Sequence, residues 1–448
     1  MKTTSIILAA GQGTRMKSDL PKVLHPVCGK PMVWYALQAA QEVTDETPVL
    51  VVGHGADQVR EMIGDAARYV IQAELLGTGH AVQQAESALK GESAFVLVTN
   101  ADMPLLTVDT LTRLVETQKS NSGPISMLTV IADDPRGFGR IVRGADGSVQ
   151  AIVEEAQATE EQKAIKELNV SAYCFEAEWL WDALHRIPLS PKGEYYLTDA
   201  VGLAVEAGMS VQALTLTNPV DAVGVNTRVH LSEAEASMRS RVNQMHMFNG
   251  VTFIDERSTY IGMDVEIGQD TVIQPNTHLR GETKIGAGCE IGPNTIITDC
   301  TIGDRCEILS SVLEKAVLED DVDMGPFARL RKGAHLAKGV HMGNFGEVKD
   351  SYLGEYVKMG HFSYIGNATI GTETNIGAGT ITCNYDGESK YATEIGADVF
   401  IGSDTMLVAP LKIGDRARTG AGSVVTKDVK EDTLVVGMPA RAIRKLKS

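Results

Sequence analysis

Two glycines, an arginine and a lysine crowd the end of the first apolar run in this chain. Ser5–Ala10 reads as a buried strand and leads straight into Gly11-Gln12-Gly13-Thr14-Arg15-Met16, with Pro21-Lys22 shortly after. Glycine lets backbone N–H groups approach a phosphate chain closely, and Arg15 and Lys22 add positive charge, so the loop suits an anionic, phosphorylated ligand. It is not a P-loop, because no Gly-Lys-Ser/Thr closes it. Nor is it the dinucleotide fingerprint, because Met16 stands where the third glycine belongs.

The elements that must position such groups are of two unlike kinds. Over the first ~226 residues, β-rich runs (Ser5–Ala10, Pro48–Val52, Phe95–Thr99, Ile125–Val130) alternate with helical patterns (Pro31–Glu42, His80–Leu89). That alternation predicts a mostly parallel sheet wrapped by helices, with ligands at the carboxyl ends of the strands. Leu231, Ala234, Met238, Val242 and Met245 then form one apolar helical stripe, read as a linker helix. Beyond it an aliphatic residue falls at every sixth position (Ile261, Ile267, Ile273, Leu279, Ile285, Ile291, Ile297), and the beat returns at Ile395, Ile401, Leu407 and Ile413. A period of six fits neither a helix nor an isolated strand but a β-solenoid, each hexad one short strand and a turn. The beat loses phase over Ser310–His341, and Thr382–Glu394 interrupts it as an inserted loop. His361 lies where a hexad turns, and the basic tail Arg441–Lys447 reads as a solvated end. The expected domains are 1–228, a linker helix over 229–249, and 250–448.

Composition narrows the function. A formal charge of −17 argues against sequence-independent binding of nucleic acid, which relies on basic surface. Six cysteines form no CxxC pair and no zinc spacing, so free thiols in a reducing compartment are expected. Neither a secretory signal nor an apolar run near the ~20 residues that span a bilayer is present, which predicts a cytoplasmic protein without membrane insertion.

The run Leu8-Ala9-Ala10-Gly11-Gln12-Gly13-Thr14-Arg15-Met16 with Pro21-Lys22 resembles the signature of sugar-nucleotide pyrophosphorylases, and the resemblance extends over the first ~228 residues. Gln72 and Leu76-Gly77-Thr78-Gly79-His80-Ala81 resemble the uracil-holding segment of N-acetylglucosamine-1-phosphate uridyltransferases. By that resemblance Asp102 and Asn226 hold Mg²⁺, while Gly139, Glu154 and Asn169 contact the sugar. Leu8, Ala9, Ala10, Gly11, Lys22, Gln72, Gly77 and Thr78 would line the nucleotide site, with Arg15 and Lys22 catalytic. Mg²⁺ would neutralise two anionic partners, letting a sugar phosphate oxygen attack the α-phosphorus of UTP. The chain departs from the family pattern at Asn100-Ala101, where Tyr-Gly is usual, and at Ser171, where Gly is usual.

The second half is similar to the acetyltransferase half of the bifunctional bacterial enzyme that makes UDP-N-acetylglucosamine. The resemblance rests on Pro326–Arg331, Gly343–Glu347, Lys349, Met359–Gly366 and Asn375–Gly387. It implies a left-handed parallel β-helix following a Rossmann-like α/β domain, and a homotrimer with its sites at subunit interfaces. An imidazole titrates near neutral pH, so His361 is the expected base for the sugar ammonium, with Glu347 orienting it. Arg331, Lys349, Tyr364 and Asn375 would hold glucosamine 1-phosphate. Ala378, Asn384, Tyr385, Ser403 and Ala421 would line the acetyl-CoA site. Where the family often has an arginine near a proline that grips coenzyme A, this chain has Val436-Gly437-Met438-Pro439-Ala440-Arg441. The alternative is a single-activity nucleotidyltransferase whose β-helix is structural or regulatory.

Overall fold

The computed structural model describes residues 1–445, and these divide into two compact units, Met1–Met238 and Arg239 onward. In the first, the central strands Thr3–Ala9, Val49–Val52 and Phe95–Asn100 carry near-continuous aliphatic runs, as strands buried on both faces do. Thr3–Ala9 pairs in parallel with both of the others. The sheet continues through Arg68–Ile71 on one side and through Glu167–Glu176, Ile125–Ile131 and Val211–Thr215 on the other. Along this path Glu167–Glu176 runs antiparallel to the strands on either side of it, and the other neighbours pair in parallel. The chain leaves Thr3–Ala9 towards one side and later returns to pair on the other. Its carboxyl end is therefore a switch point, where the sheet opens a crevice. A hairpin of Arg140–Arg143 and Val149–Val153 attaches through Arg140 to Leu168.

Two local expectations need correcting. The pattern read as one helix over His80–Leu89 forms two short ones, Thr78–Gln83 and Glu86–Leu89. Along the helix Arg228–Phe248, Ala234, Met238 and Val242 are buried, but Met245 is 43% exposed. The last turn instead buries Asn243, which donates to the carbonyls of Glu256 and Thr259, and His246.

The second unit is a left-handed parallel β-helix, its short strands stacked into three sheets of 12, 10 and 9 strands. Tyr260 faces His278 and His278 faces Ile296, one rung per 18 residues. Of the sixth-position aliphatics, Ile273, Leu279, Ile291 and Ile297 are fully buried. Burial of each such side chain contributes roughly 1.5–3 kcal/mol. Two residues before them stands a second buried column, including Thr271, Thr277, Thr283, Cys289, Thr295, Cys300 and Cys306. Its hydroxyls and thiols face carbonyls of the coil, as in Thr271 Oγ1 to Gly286 O at 2.9 Å and Cys289 Sγ to Gly303 O at 3.2 Å. Three cysteines thus take threonine's place in this column, and none of the six cysteines is joined in a disulfide.

The apparent loss of phase over Ser310–His341 is not a break in the fold. Val312–Glu314, Val317–Leu318, Asp323–Met324, Arg329–Leu330, Ala334–Leu336 and His341–Met342 are consecutive strands. The buried residues Ile308, Leu313 and Leu318 are spaced by five rather than six, so two turns one residue short displace the count. The insertion after Thr382 leaves the coil as a small hairpin in which Tyr385 bridges Lys390. Arg441–Lys445 pairs antiparallel with Thr433–Val436, and the rest of the basic tail lies outside the described residues. Among the described residues no helix is long and apolar enough to cross a membrane.

Candidate functional site

The crevice at the end of Thr3–Ala9 is a cleft of about 500 Å³ lined by Leu8, Ala9, Ala10, Gly11, Arg15, Lys22, Gln72, Gly77, Thr78 and Asp102. Gly13, at φ 63°, turns the chain into the short helix Thr14–Met16, and Arg228 donates to the Met16 carbonyl at 3.2 Å. A Cβ at Gly13 would lie 2.6 Å from the Lys22 side chain, so the glycine lets the loop close over that lysine. On the opposite wall Gln72 is buried and donates to Gly77 O at 3.0 Å. Gly77, at φ 96°, packs so tightly on the Tyr195 backbone that a Cβ there would meet its carbonyl oxygen at 2.6 Å.

At the mouth, Lys22 Nζ lies 2.5 Å from Asp102 Oδ2 and 3.1 Å from Asn226 Oδ1. Val225 N–H donates to Asp102 O at 2.9 Å, which brings Asn226 to the carboxylate across a sequence gap of more than 100 residues. One carboxylate and one amide oxygen thus already bracket a cation. Hard oxygen donors few in number suit a divalent ion that keeps several waters and takes substrate phosphates as further ligands. Among the described residues there is no cluster of three or more His, Cys, Asp or Glu that could form an all-protein cage. These residues therefore fit the metal expected from the sequence.

A second cavity of about 200 Å³ shares Leu8, Thr78, Asn100 and Tyr196 with the cleft and adds Glu154, Ser171, Tyr173 and Thr198. Glu154 accepts from Thr198 Oγ1 at 3.0 Å, and burial pushes its carboxyl above the usual carboxylate range. Asn169 and Gly139 do not line this cavity. Asn169 is 2% exposed, its amide turned to Tyr173 and Ser171, and its N–H donates to Gly139 O. Sequence reasoning missed Glu194-Tyr195-Tyr196-Leu197-Thr198, which supplies one wall of both cavities. The only signal was a polar, aromatic run between helices, which reads equally as an ordinary loop.

On the β-helix, His361, Ala378, Ser403 and Ala421 stand on one corner of successive rungs. The strand registers Lys358 to Asn375, Asn375 to Phe400 and Phe400 to Arg418 place them there. The exposed Phe362 beside His361, and Phe345 and Phe327 on the preceding rungs, continue that corner as an aromatic ridge. Arg331, Glu347, Lys349 and Tyr364 belong to another sheet. Glu347 is committed to Arg331, with Nη1 3.0 Å from Oε1, and among the described residues no hydrogen bond joins it to His361. Gly366 lies against Tyr364 Oη and Asn384 Nδ2, so its missing Cβ is what lets those groups converge. Asn375, by contrast, lies on the sheet that holds Lys358 and Phe400, and one chain does not gather it with Arg331, Lys349 and Tyr364.

Lys390 is a further residue that sequence reasoning left without a role. The inserted hairpin carries it to Lys349 and Arg331, and the neighbouring Lys349 ammonium holds it below the usual lysine range. Three cations are brought together here, with Glu347 on Arg331 and Asp350 on Lys349 offsetting part of the charge, and such a cluster suits an anionic group.

Comparison with known proteins agrees with both units. Residues 5–170 match the family of MobA-like NTP transferase domains, and residues 264–299 and 392–427 match the bacterial transferase hexapeptide (six repeats) family. The chain is 46% identical to the bifunctional protein GlmU of Streptococcus agalactiae, covering 98% of this chain and 95% of the relative. It is 47% identical to that of Heliobacterium modesticaldum, covering 97% and 95%, and 45% identical to that of Bacillus velezensis, covering 99% and 97%. With two cavities meeting at the sheet's switch point, a second set of groups on a hexapeptide coil, and relatives matched from end to end, this chain belongs to the bifunctional GlmU family.

Proposed function

We propose that the chain carries out two consecutive transfers in making UDP-N-acetylglucosamine: acetylation of glucosamine 1-phosphate within 250–448, then uridylyl transfer from UTP within 1–228. The observation that carries the reading is that one chain holds both a cation-bracketing pair beside a small second cavity and, on its β-helix, His361 at one corner with a cluster of three cations on another sheet. A single-activity nucleotidyltransferase has no use for the second set, and full-length similarity to bifunctional relatives weighs against it.

In the acetyl transfer, His361 takes a proton from the sugar ammonium. The freed amine attacks the thioester carbonyl carbon; the C–N bond forms, the C–S bond breaks, and coenzyme A leaves as its thiol. Arg331, Lys349 and Lys390 hold the phosphate, with Glu347 fixing Arg331, and Tyr364 and Asn375 hold the sugar. Backbone N–H groups near Asn384-Tyr385 stabilise the oxyanion, and Ser403 donates to the departing sulfur. Ala378 and Ala421 leave room for the pantetheine arm. Asn375 lies on a different sheet from Tyr364 and an aromatic ridge is exposed, which supports a homotrimer whose copies complete one another's sites.

In the uridylyl transfer, Gly11, Arg15 and Lys22 hold the triphosphate, Gln72, Gly77 and Thr78 the base, and Glu154 with Gly139 and Asn169 the sugar side. Mg²⁺ held by Asp102 and Asn226 would supply charge neutralisation and alignment of the phosphates. Lys22 leaves the Asp102–Asn226 pair for the phosphates as the nucleotide enters. A sugar phosphate oxygen then bonds to the α-phosphorus while the bond to pyrophosphate breaks. We place the enzyme in the cytoplasm, where both nucleotide and acetyl-CoA are available. The test is thiol release from acetyl-CoA, with and without glucosamine 1-phosphate. Release that requires the sugar phosphate is expected; none from folded protein would reduce the β-helix to a scaffold.

A further inference from the structure

The strand Glu167–Glu176 breaks register between Asn169 and Tyr173, and Ser171 sits in that bulge with a left-handed φ of 58°. Such a conformation in a residue other than glycine persists only where its surroundings hold it. Here three groups do. Asn100 Nδ2 donates to Ser171 O at 3.2 Å, Ser171 N–H donates to Asn169 Oδ1 at 3.1 Å, and Asn169 Nδ2 lies 3.3 Å from Ser171 Oγ. Asn169 also donates to Tyr173 Oη at 2.7 Å, and the residue is 2% exposed. Ser171, however, lines the small cavity, as does Asn100.

We infer that Ser171, presented by Asn100 and Asn169, is a specificity-determining residue of the sugar cavity, its hydroxyl taking a hydrogen bond with one polar substituent of the hexose ring. A cavity built to pair a substrate hydroxyl or amide discriminates against the analogue lacking it, because its own polar group is left unmet. With glycine at 171 the bulge would present no side chain and Asn169 Nδ2 would lose one acceptor. Asn100 meets residue 171 at its backbone carbonyl and so holds the bulge, while the serine side chain is what the bulge presents to the cavity.

This inference rests on the uridylyl-transfer reading. Its test pairs Ser171→Ala with a set of substrate analogues: N-acetylglucosamine 1-phosphate, glucose 1-phosphate, and the 3-deoxy, 4-deoxy and 6-deoxy forms of the acetylated sugar. Pyrophosphate release with UTP is the readout. The variant is expected to lose about tenfold in kcat/KM on the parent sugar, with the KM for UTP unchanged. That loss should vanish on the one analogue lacking the partnered group, which is the signature of a direct contact in a double-mutant cycle. An equal loss on every analogue, or no loss on any, overturns the assignment. If the unaltered protein releases no pyrophosphate with any of these sugars, the uridylyl-transfer reading fails and this inference falls with it.

Discussion

Lys22→Met should make the protein bind a divalent cation more tightly before any nucleotide is present. The Lys22 ammonium lies against Asp102 and Asn226, with the two charged side chains only 13% and 20% exposed. A metal entering that place in the unaltered chain must first displace the ammonium. A hydrogen bond to a charged group contributes about 1.5–3 kcal/mol, and partial solvent screening puts this pair at the lower end. At 1.4 kcal/mol per factor of ten, removing the competitor should tighten binding roughly tenfold. Methionine keeps the apolar stem that packs beside Gly13, which limits disturbance of the loop. The assay is titration of Mn²⁺ followed by the loss of its free-ion electron paramagnetic resonance signal, with circular dichroism as the folding control. Pyrophosphate release should fall in the same variant, because the lysine no longer reaches the triphosphate. Affinity for Mn²⁺ that is unchanged or weaker in a folded variant would refute the idea that lysine and metal share one place.

Asp102→Ala should abolish uridylyl transfer and spare acetylation, and His361→Ala should do the reverse; both variants are assayed for pyrophosphate and for free thiol. Lys390→Ala should raise the KM for glucosamine 1-phosphate about tenfold while the KM for acetyl-CoA stays put, as steady-state kinetics would show. The raised pKa of Glu154 gives a stability test. Between the ordinary value near 4.5 and the raised one, the native state keeps a proton that the unfolded state has released. Its contribution is therefore complete below 4.5 and is lost as pH rises through the raised value. Glu154→Gln should gain melting temperature relative to the unaltered chain as pH rises across that window, and a pH-independent difference would count against the assignment.

How much of this was legible beforehand follows from what each signal depends on. The glycine loop, Lys22 and Asp102 could be read because strand ends and short loops carry their residues in fixed order, and the structure lines one cleft with them. The hexads could be read wherever six residues make a side, but the shortened steps at Leu313 and Leu318 hid strands that are fully formed. Residues that reach a site only through tertiary packing gave no signal. Tyr196 and Thr198 arrive from a loop more than 110 residues after Thr78, and Lys390 arrives on a hairpin whose direction its sequence does not state. Asn169 was visible as a candidate, whereas its commitment to Tyr173 depends on a bulge that no periodicity reveals.

The corner shared by His361, Ala378, Ser403 and Ala421 makes the β-helix a ruler with discrete marks. Neighbouring strands lie about 4.8 Å apart, so the span from His361 to Ala421, three rungs, is roughly 14 Å whatever the number of residues between them. The insertion after Thr382 lengthens the chain there without moving a mark, because it leaves the coil sideways. Adding one whole rung between His361 and Ala378 would instead shift every later mark by a full step, with no intermediate setting. On the roles proposed for His361 and Ala421, distance from the base to the far end of the thioester carrier is therefore counted in rungs, and drift in loop length leaves it untouched.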